Sequence, residues 1–200
     1  MDTSRLEAFS DAVFAIAITL LVLEIKVPHS AISGLGSGLL SLWPSYLAYA
    51  ISFIVIGAIW INHHAMFKHI VRADEMLLLH NTLQLMFIAF LPFPTAVLAE
   101  ALHSGADEPV ATAFYGGTLA VIGVFVVTMW AYASHGHRLL GGNISREEAK
   151  RHGRRLLVGP AGYVVATLTA LVAPWLSLMF YVVLNFFFLW PRHRPTNSSD

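Results

Sequence analysis

Long uncharged windows separate short polar segments along the chain. The four longest occupy residues 27–67, 76–99, 109–137 and 156–191. Because a membrane-spanning helix needs about 20 apolar residues, these windows and a shorter apolar run near residue 20 hold more than four helices. A Gly/Ser-rich stretch at 33–41 interrupts the first window, and Pro174 divides the last one. The pattern predicts six transmembrane helices, at about 6–27, 43–66, 75–98, 110–134, 154–173 and 175–190.

The composition is typical of an integral membrane protein. Hydrophobic residues make up 56% of the chain and charged residues only 12%, and the mean hydropathy is +0.66. We therefore predict an all-α membrane protein, formed by one domain over 1–200 that ends in a cytoplasmic tail at 192–200. The absence of cysteine excludes disulfides, thiolate metal sites and cysteine nucleophiles. The predicted helices hold almost no titratable residues, so we expect no enzyme activity, no cofactor and no nucleic-acid partner.

The charges are distributed unequally between the two sides of the predicted bundle. Eleven of the twelve Lys and Arg residues fall on the side that carries both termini, and Lys26 falls on the other. The positive-inside rule therefore predicts a multi-pass protein of the cell membrane with cytoplasmic N- and C-termini. In the largest basic segment, the spacing of Ser145 and Glu148 predicts a capping box and a helical extension before the fifth helix. We interpret its basic residues as a topology signal in contact with lipid headgroups.

The first predicted helix is too short for the membrane. Only twelve uncharged residues separate Asp11 from Glu24, and they cover about 18 Å of a hydrocarbon layer about 30 Å thick. One or both carboxylates therefore lie at membrane depth, where an acid needs protein partners or water. We predict one buried polar cluster near the cytoplasmic end, formed by Arg5, Ser10 and Asp11 with side chains from the second and third helices, namely His63, His64, His80 and Asn81.

The two adjacent histidines leave more than one role open. His63 and His64 diverge by about 100° on a helix and have no carboxylate at ligand spacing, which disfavours a metal or haem site. A proton relay is a second role. Structural pairing with Asp11 is the interpretation that we favour.

One face of the first helix is apolar along most of its length. At about 100° per residue, a single stripe contains Arg5, Phe9, Ala12, Ile16, Thr19, Leu20, Leu23 and Val27. Ser10 and Asp11 point roughly 100° or more away from it. Such a stripe commonly reflects ordinary helix packing, and the alternative is a pore surface. Glu24 lies about 80° from the stripe, so it either flanks the outer mouth of a pore or pairs with Lys26 at the membrane interface.

The segment from Arg5 to Asp11 has the pattern RxxxFSD. Its place on the first of six helices, with Trp60, His63 and His64 on the second, resembles the potassium channel family typified by the lysosomal transmembrane protein 175, in its short single-repeat prokaryotic form. The resemblance implies a homotetramer in which the first helix of each subunit lines a central pore. The family lacks a TVGYG filter, and this sequence has none either.

The resemblance also implies roles for the stripe. Ile16 falls on the family's apolar constriction, Thr19 falls on its pore threonine, and Leu20 or Leu23 forms further apolar rings. Rings of Ile16 and Leu23 would close the pore by dewetting, while the Thr19 hydroxyls would replace part of the water shell of an ion. Selectivity for K⁺ over Na⁺ should accordingly be modest.

These observations predict a potassium-permeable cation channel that conducts passively. Its expected partners are monovalent cations, the lipid bilayer and further copies of the chain. The alternative is a proton- or ion-coupled secondary transporter. Such a transporter would predict a second half that resembles the first, and no second RxxxFSD occurs in the last three predicted helices.

Overall fold

The structure, a computed structural model, describes residues 3–26, 34–142 and 144–189. Over these residues the chain forms nine α-helices: α1 (Ser4–Leu20), α2 (Leu35–Ser41), α3 (Trp43–Phe67), α4 (Glu75–Phe90), α5 (Pro92–Ser104), α6 (Glu108–Ser134), α7 (Arg146–Leu156), α8 (Val158–Ala170) and α9 (Pro174–Leu189). A 3₁₀ turn (Leu21–Glu24) continues α1, and another (His135–His137) follows α6. The predicted tail 192–200 and the predicted end of the first helix at residue 27 lie outside the described residues.

Four segments are long and apolar enough to cross a membrane by length and composition. They are Ser4–Glu24, Trp43–Phe67, Glu75–Ser104 and Glu108–His137. These segments correspond to the first four predicted helices, and the all-helical fold class is confirmed. The last two predicted helices correspond to α8 and α9, which have 13 and 16 residues. Helix length alone therefore supports four crossings among the described residues.

Proline and glycine explain where the third predicted helix departs from the expected bounds of 75–98. It is divided into α4 and α5, because Pro92 has no backbone N–H to continue the hydrogen-bonding of α4. The second part then runs to Ser104, six residues beyond the predicted end. It stops there because Gly105 adopts the left-handed conformation, with φ 69°, that commonly ends a helix.

The predicted helix 154–173 is divided between the end of α7 and α8, which stops at Ala170, and the predicted helical extension before it is confirmed as α7. Its first part is α7, which begins at Arg146 because the capping box forms: Glu148 N donates to Ser145 Oγ at 3.2 Å, and Ser145 N donates to Glu148 Oε2 at 2.9 Å. Leu157 keeps helical dihedrals, so α7 leads directly into α8. The boundary falls there because the ring of Pro160 displaces the carbonyl of the residue four positions earlier. The division by Pro174 is confirmed, since α9 begins at that residue.

Two further segments, the Gly/Ser-rich stretch and the end of the first helix, also differ from expectation. The Gly/Ser-rich stretch contains the short helix α2, in which the Ser37 and Ser41 hydroxyls donate to the carbonyls of Gly34 and Gly38 at 2.8 Å each. The regular α-helix of the first segment ends at Leu20, and the chain tightens into the 3₁₀ turn before it becomes extended. The regular α-helix therefore ends earlier than the predicted first helix, which ran to residue 27.

The main apolar core lies within the bundle, where α1, α3, α4, α5, α6, α8 and α9 meet. Buried polar contacts also cross this core, and in one of them Ser52 Oγ lies 2.8 Å from Thr95 Oγ1 and 3.0 Å from Tyr115 Oη. These hydroxyls find partners inside the protein because lipid offers none. The contact ties α3, α5 and α6 together and fixes the frame against which α1 packs.

A second apolar cluster closes the end of the bundle that carries residues 68–74 and 135–157, here called the basic end. The two loops pair, because Val71 N donates to Leu139 O at 3.0 Å and Gly141 N donates to His69 O at 2.9 Å. Leu6, near the start of α1, packs in the same cluster. The N-terminal helix start and both basic loops therefore lie at one end, as the charge distribution predicted.

Asp74 connects the pairing loops to α4 and α6 at the basic end. Its Oδ1 accepts from Leu77 N at 2.9 Å and caps α4, while its Oδ2 accepts from Tyr132 Oη at 2.7 Å. Arg138 lies 3.9 Å from the same carboxylate. Desolvation by burial opposes ionisation, but these hydrogen bonds and the guanidinium outweigh it and lower the pKa of Asp74.

We expect Asp74→Asn to remove a pH-dependent part of the stability. Because the pKa of Asp74 is lower in the folded state, ionisation stabilises the fold above the unfolded pKa of about 3.9 and ceases to do so as the pH falls through the folded pKa. At pH 7 the variant should lose less than ~1 kcal/mol, since the side chain of Asp74 is 40% exposed. Unfolding midpoints at pH 7 and pH 3 measure this, and the difference should shrink at pH 3. Glu75→Gln is the control; an equal effect there would contradict the assignment.

Candidate pore surface and motif network

The first helix has two distinct faces in the folded subunit. One face is buried against α3 and α4, and its residues are Leu6, Ser10, Phe14, Ala17 and Leu21. Their spacing of three and four residues keeps them on one side of the helix. The opposite face is left without cover in the single subunit.

The uncovered face is the predicted stripe. Ile16 is 58% exposed, Leu20 40% and Leu23 68%, and Thr19 is exposed between them. Phe9 continues the stripe toward the basic end with 54% exposure. The chain thus presents an apolar helix face with one hydroxyl in its middle, on a segment apolar enough to cross a membrane.

The Thr19 hydroxyl has a defined orientation. Its Oγ1 lies 2.9 Å from the carbonyls of Ala15 and Ile16, so its proton is directed back to the helix. A hydroxyl has one proton and two lone pairs. The lone pairs of Thr19 therefore remain available on the exposed face, where they can accept from water or contact a cation.

Ser10 belongs to a buried polar network behind this face. Asn81 Nδ2 donates to Ser10 Oγ at 3.0 Å, and Ser10 Oγ donates to Leu6 O at 2.8 Å. His63 Nε2 lies 2.8 Å from Asn81 Oδ1, which can only accept, so this ring nitrogen carries a proton. The rings of Phe14 and Phe67 pack on His63 at 5.4 and 4.6 Å between centroids.

Asp11 does not join that network. Its Oδ1 accepts from Trp60 Nε1 at 2.7 Å, and Asp11 itself is exposed. His64 stacks on Trp60 at 6.0 Å between centroids. The prediction of a single cluster is therefore wrong: consecutive residues diverge by about 100° on a helix, so Ser10 and Asp11 reach different partners.

Other members of the predicted cluster also lie apart. His80 is half-buried, and its Nδ1 lies 2.8 Å from Met76 O while its ring stacks on Tyr132. Arg5 is exposed at the start of α1. Pairing of His63 or His64 with Asp11, the favoured interpretation, is not observed. The sequence analysis missed Trp60 as the partner of Asp11. The available signal was the indole N–H of Trp60, a hydrogen-bond donor on the neighbouring helix at a similar depth.

Glu24 lies off the stripe at the end opposite the basic one. It is half-buried and lines a broad cavity of about 950 Å³ with Lys26, Glu100, His103 and Asp107. Acidic groups from the turn after α1, from α5 and from the loop before α6 therefore share one space. Among the described residues, no three His, Asp or Glu side chains are grouped closely enough to hold a metal ion.

Comparison with known proteins supports the resemblance found in RxxxFSD. A profile of the family described as endosomal/lysosomal potassium channel TMEM175 matches residues 5–92. A potassium channel of Chamaesiphon minutus is 45% identical over 191 residues, which covers 94% of this chain and 93% of that protein. A potassium channel of Streptomyces collinus is 38% identical, with 94% and 91% covered.

The fold agrees with a solved member. The crystal structure of a lysosomal potassium-selective channel TMEM175 homolog from Chamaesiphon minutus matches with a TM-score of 0.85 at 43% identity, and the match covers 94% of this chain and 96% of that one. The human endosomal/lysosomal proton channel TMEM175 is 33% identical over 66% of this chain, which corresponds to only 28% of its own length. The chain therefore belongs to the TMEM175 family, in a form of about the length of its bacterial relatives, and this is a family of ion channels and not of enzymes.

Proposed function

We propose that the protein is a homotetrameric, potassium-permeable cation channel whose central pore is lined by α1. The observation that carries this proposal is the exposed face of Ile16, Thr19, Leu20 and Leu23, whose helix is packed into the core on its other side. Lipid contact alone would not require a hydroxyl in the stripe or the exposed carboxylate of Asp11 elsewhere on the same membrane-spanning helix. Copies of the chain that enclose the face around water satisfy both. The names of the bacterial relatives support K⁺ as the permeant ion.

The subunit also has space for a neighbour beside the stripe. A crevice of about 330 Å³ between α1 and α3 is lined by Asp11, Phe14, Ala15, Ile18, Ile56, Gly57 and Trp60. A Cβ atom added to Gly57 would meet nothing within 4 Å, so this part of the crevice is open. A fourfold arrangement of α1 helices brings each subunit against the α1–α3 edge of the next, where a side chain of the neighbour can enter the crevice.

The proposed subunit is one domain that crosses the membrane six times. The fifth and sixth crossings are α8 and α9, about 20 and 24 Å long at 1.5 Å per residue. Ser177 Oγ donates to Ala166 O at 2.7 Å and holds the two together as a hairpin. Short helices packed against protein tolerate mismatch with the bilayer thickness. The basic end is cytoplasmic by the positive-inside rule, which places the N-terminus and the tail 192–200 in the cytoplasm.

The proposed pore alternates apolar and polar rings. Ile16 and Leu23 are seven residues apart, about 10 Å along the helix axis, and the Thr19 ring lies between them. Narrow apolar rings exclude water and thereby block ions, whereas the Thr19 oxygens face the pore with free lone pairs and replace part of the hydration shell. One hydroxyl per subunit gives modest selectivity for K⁺ over Na⁺. Glu24 and the other acids of the outer cavity raise the local cation concentration.

Reconstitution in planar bilayers tests the proposed function. With KCl on one side and NaCl on the other, the reversal potential should have the sign of a K⁺ preference. Light scattering of the purified protein tests the tetramer and should give a mass four times that of the 22.0 kDa chain. A pH gradient at symmetric KCl measures proton permeation. Tightly coupled, saturable flux without single-channel steps would instead identify a secondary transporter, and a dimeric mass would contradict the central pore.

A cysteine at Leu23 provides a direct test of the pore surface. Because the natural chain has no cysteine, Leu23→Cys would place four thiols in one ring, where thiolates bind a soft divalent cation. We expect micromolar Cd²⁺ to abolish most of the K⁺ current and a chelator to restore it. Val165→Cys, similarly exposed on α8, is the control and should show no block. Block in neither variant would remove Leu23 from the pore.

A further inference from the structure

The basic helix α7 carries its charges on one face. Arg146, Lys150, Arg151 and Arg154 are exposed, and they outnumber the exposed acids of the helix, Glu147 and Glu148. Successive members of Arg146, Lys150 and Arg154 are four residues apart and therefore line up along the helix. The helix thus presents a row of cations to its surroundings.

The opposite face of α7 fixes its orientation. Ala149 and Leu156 are buried in the apolar cluster of the basic end. Trp130 Nε1 donates to Ala149 O at 3.0 Å and ties the middle of α7 to α6. A Cβ atom on Gly153 would lie 3.2 Å from Trp130 Cδ1, so the helix approaches this ring closely. The row of cations is consequently held outward by packing on the other side.

The start of α8 sets the depth of these cations. Leu157 and Val158 are 52% and 43% exposed, and they begin the apolar surface of α8. Since α7 leads directly into α8, Arg154 lies about 4.5 Å and Lys150 about 10 Å before Leu157 along the axis, and Arg146 about 16 Å. The headgroup layer of one leaflet is about 5–8 Å thick. The backbone of Arg154 therefore lies within this layer. Lys150 and Arg151 lie just outside it, where their long side chains can reach back to it, and Arg146 lies well beyond it.

We propose that the exposed face of α7 is a binding site for an anionic phospholipid, in which Arg154 contacts the headgroup phosphate and Lys150 and Arg151 contact further anionic charge. A guanidinium matches phosphate oxygens in two-point geometry, while lysine contributes a compact charge. The cations begin where the apolar surface ends, an arrangement that complements a lipid whose chains lie along α8. This site rests on the proposed membrane topology and does not depend on which ion the pore conducts.

Lipid retention by purified protein tests the site. The protein is reconstituted in nanodiscs with equal amounts of phosphatidylglycerol and phosphatidylcholine, and the lipids that stay bound after transfer to detergent are measured by native mass spectrometry. We expect Arg154→Gln to lower the ratio of phosphatidylglycerol to phosphatidylcholine about fivefold, the factor that corresponds to ~1 kcal/mol per cation near the surface. Arg154→Lys should retain most of the preference. Arg146→Gln, which removes the same charge outside the layer, should change the ratio less than twofold.

Each other outcome has a distinct meaning. Equal losses in Arg154→Gln and Arg146→Gln would indicate diffuse attraction and overturn the site, as would an unchanged ratio in both. Glutamine is a good helix former, and the folded yield shows whether α7 persists. Potassium current recorded on the same preparations separates the two proposals. If the wild type conducts K⁺ but Arg154→Gln retains phosphatidylglycerol as the wild type does, only the lipid site is rejected. If Arg154→Gln selectively loses phosphatidylglycerol but the wild type carries no K⁺ current, only the channel is rejected.

Discussion

Ile16→Asn is expected to raise the single-channel K⁺ conductance on the order of tenfold and to weaken the preference for K⁺ over Na⁺. Four amides in place of four apolar side chains hydrate the constriction, and a barrier lowered by ~1.4 kcal/mol is sufficient for a tenfold change. Because Ile16 is 58% exposed on the subunit, the amide is not forced into the apolar core. Bilayer recordings of the purified variant measure both quantities.

Val165→Asn is the matched control for this change. Val165 is 59% exposed on α8, so the same amide is placed on a surface that the proposed pore does not include, and the conductance should stay as in the wild type. If Ile16 were a packing residue, its asparagine variant would instead lose folded yield without a change in conductance.

Thr19→Val is the complementary change in the pore. It nearly preserves the shape of the side chain but removes the oxygen that faces the exposed surface, so K⁺ preference should fall while the tetramer persists. Reversal potentials under asymmetric KCl and NaCl measure the preference. Unchanged ion preference in Thr19→Val together with unchanged conductance in Ile16→Asn would remove α1 from the pore.

Asn81→Ala should be among the most destabilising single substitutions in the chain. Asn81 is fully buried and bonds both Ser10 and His63. Its removal leaves the His63 N–H without an acceptor and the Ser10 oxygen without its donor, at ~1–3 kcal/mol for each unsatisfied group. We expect a loss of several kcal/mol, seen as a lower unfolding midpoint and a lower yield of assembled protein.

The exposed neighbour Thr82 supplies the control for Asn81. Its hydroxyl bonds only its own helix at Leu78 O among the contacts seen, so Thr82→Ala should have little effect. A double variant with Ser10→Ala should lose less than the sum of the two single losses, because both residues share one hydrogen bond. Full additivity, or equal midpoints for Asn81→Ala and Thr82→Ala, would contradict the network.

The sequence predicted the elements better than the contacts between them. Charge-bounded windows located the long helices, Pro174 marked the division before α9, and Ser145 with Glu148 marked the start of α7. The stripe on α1 followed from periodicity alone and is the exposed face of the subunit. These features depend on local spacing, which a sequence states directly.

The partners of the motif depend on how helices are offset along their axes. Periodicity showed only that Ser10 and Asp11 point away from the stripe. It did not show that Asn81 would lie at the depth of Ser10 and Trp60 at the depth of Asp11. Likewise, the break between α7 and α8 required knowledge that Pro160 belongs to the first turn of the second helix. Interhelical depth is set by packing of the whole core, so no single window contains it.

Every motif contact described above forms within one chain: Ser10 with Asn81, Asn81 with His63, and Asp11 with Trp60. These contacts need no second copy, so we expect the orientation of α1 to be set within the subunit and to be retained in the proposed tetramer. Assembly of the proposed tetramer would then join surfaces that are already shaped. A consequence is that wild-type and Ile16→Asn chains, when co-expressed, should mix freely, and single recordings should fall into discrete conductance classes whose frequencies follow binomial statistics of subunit composition.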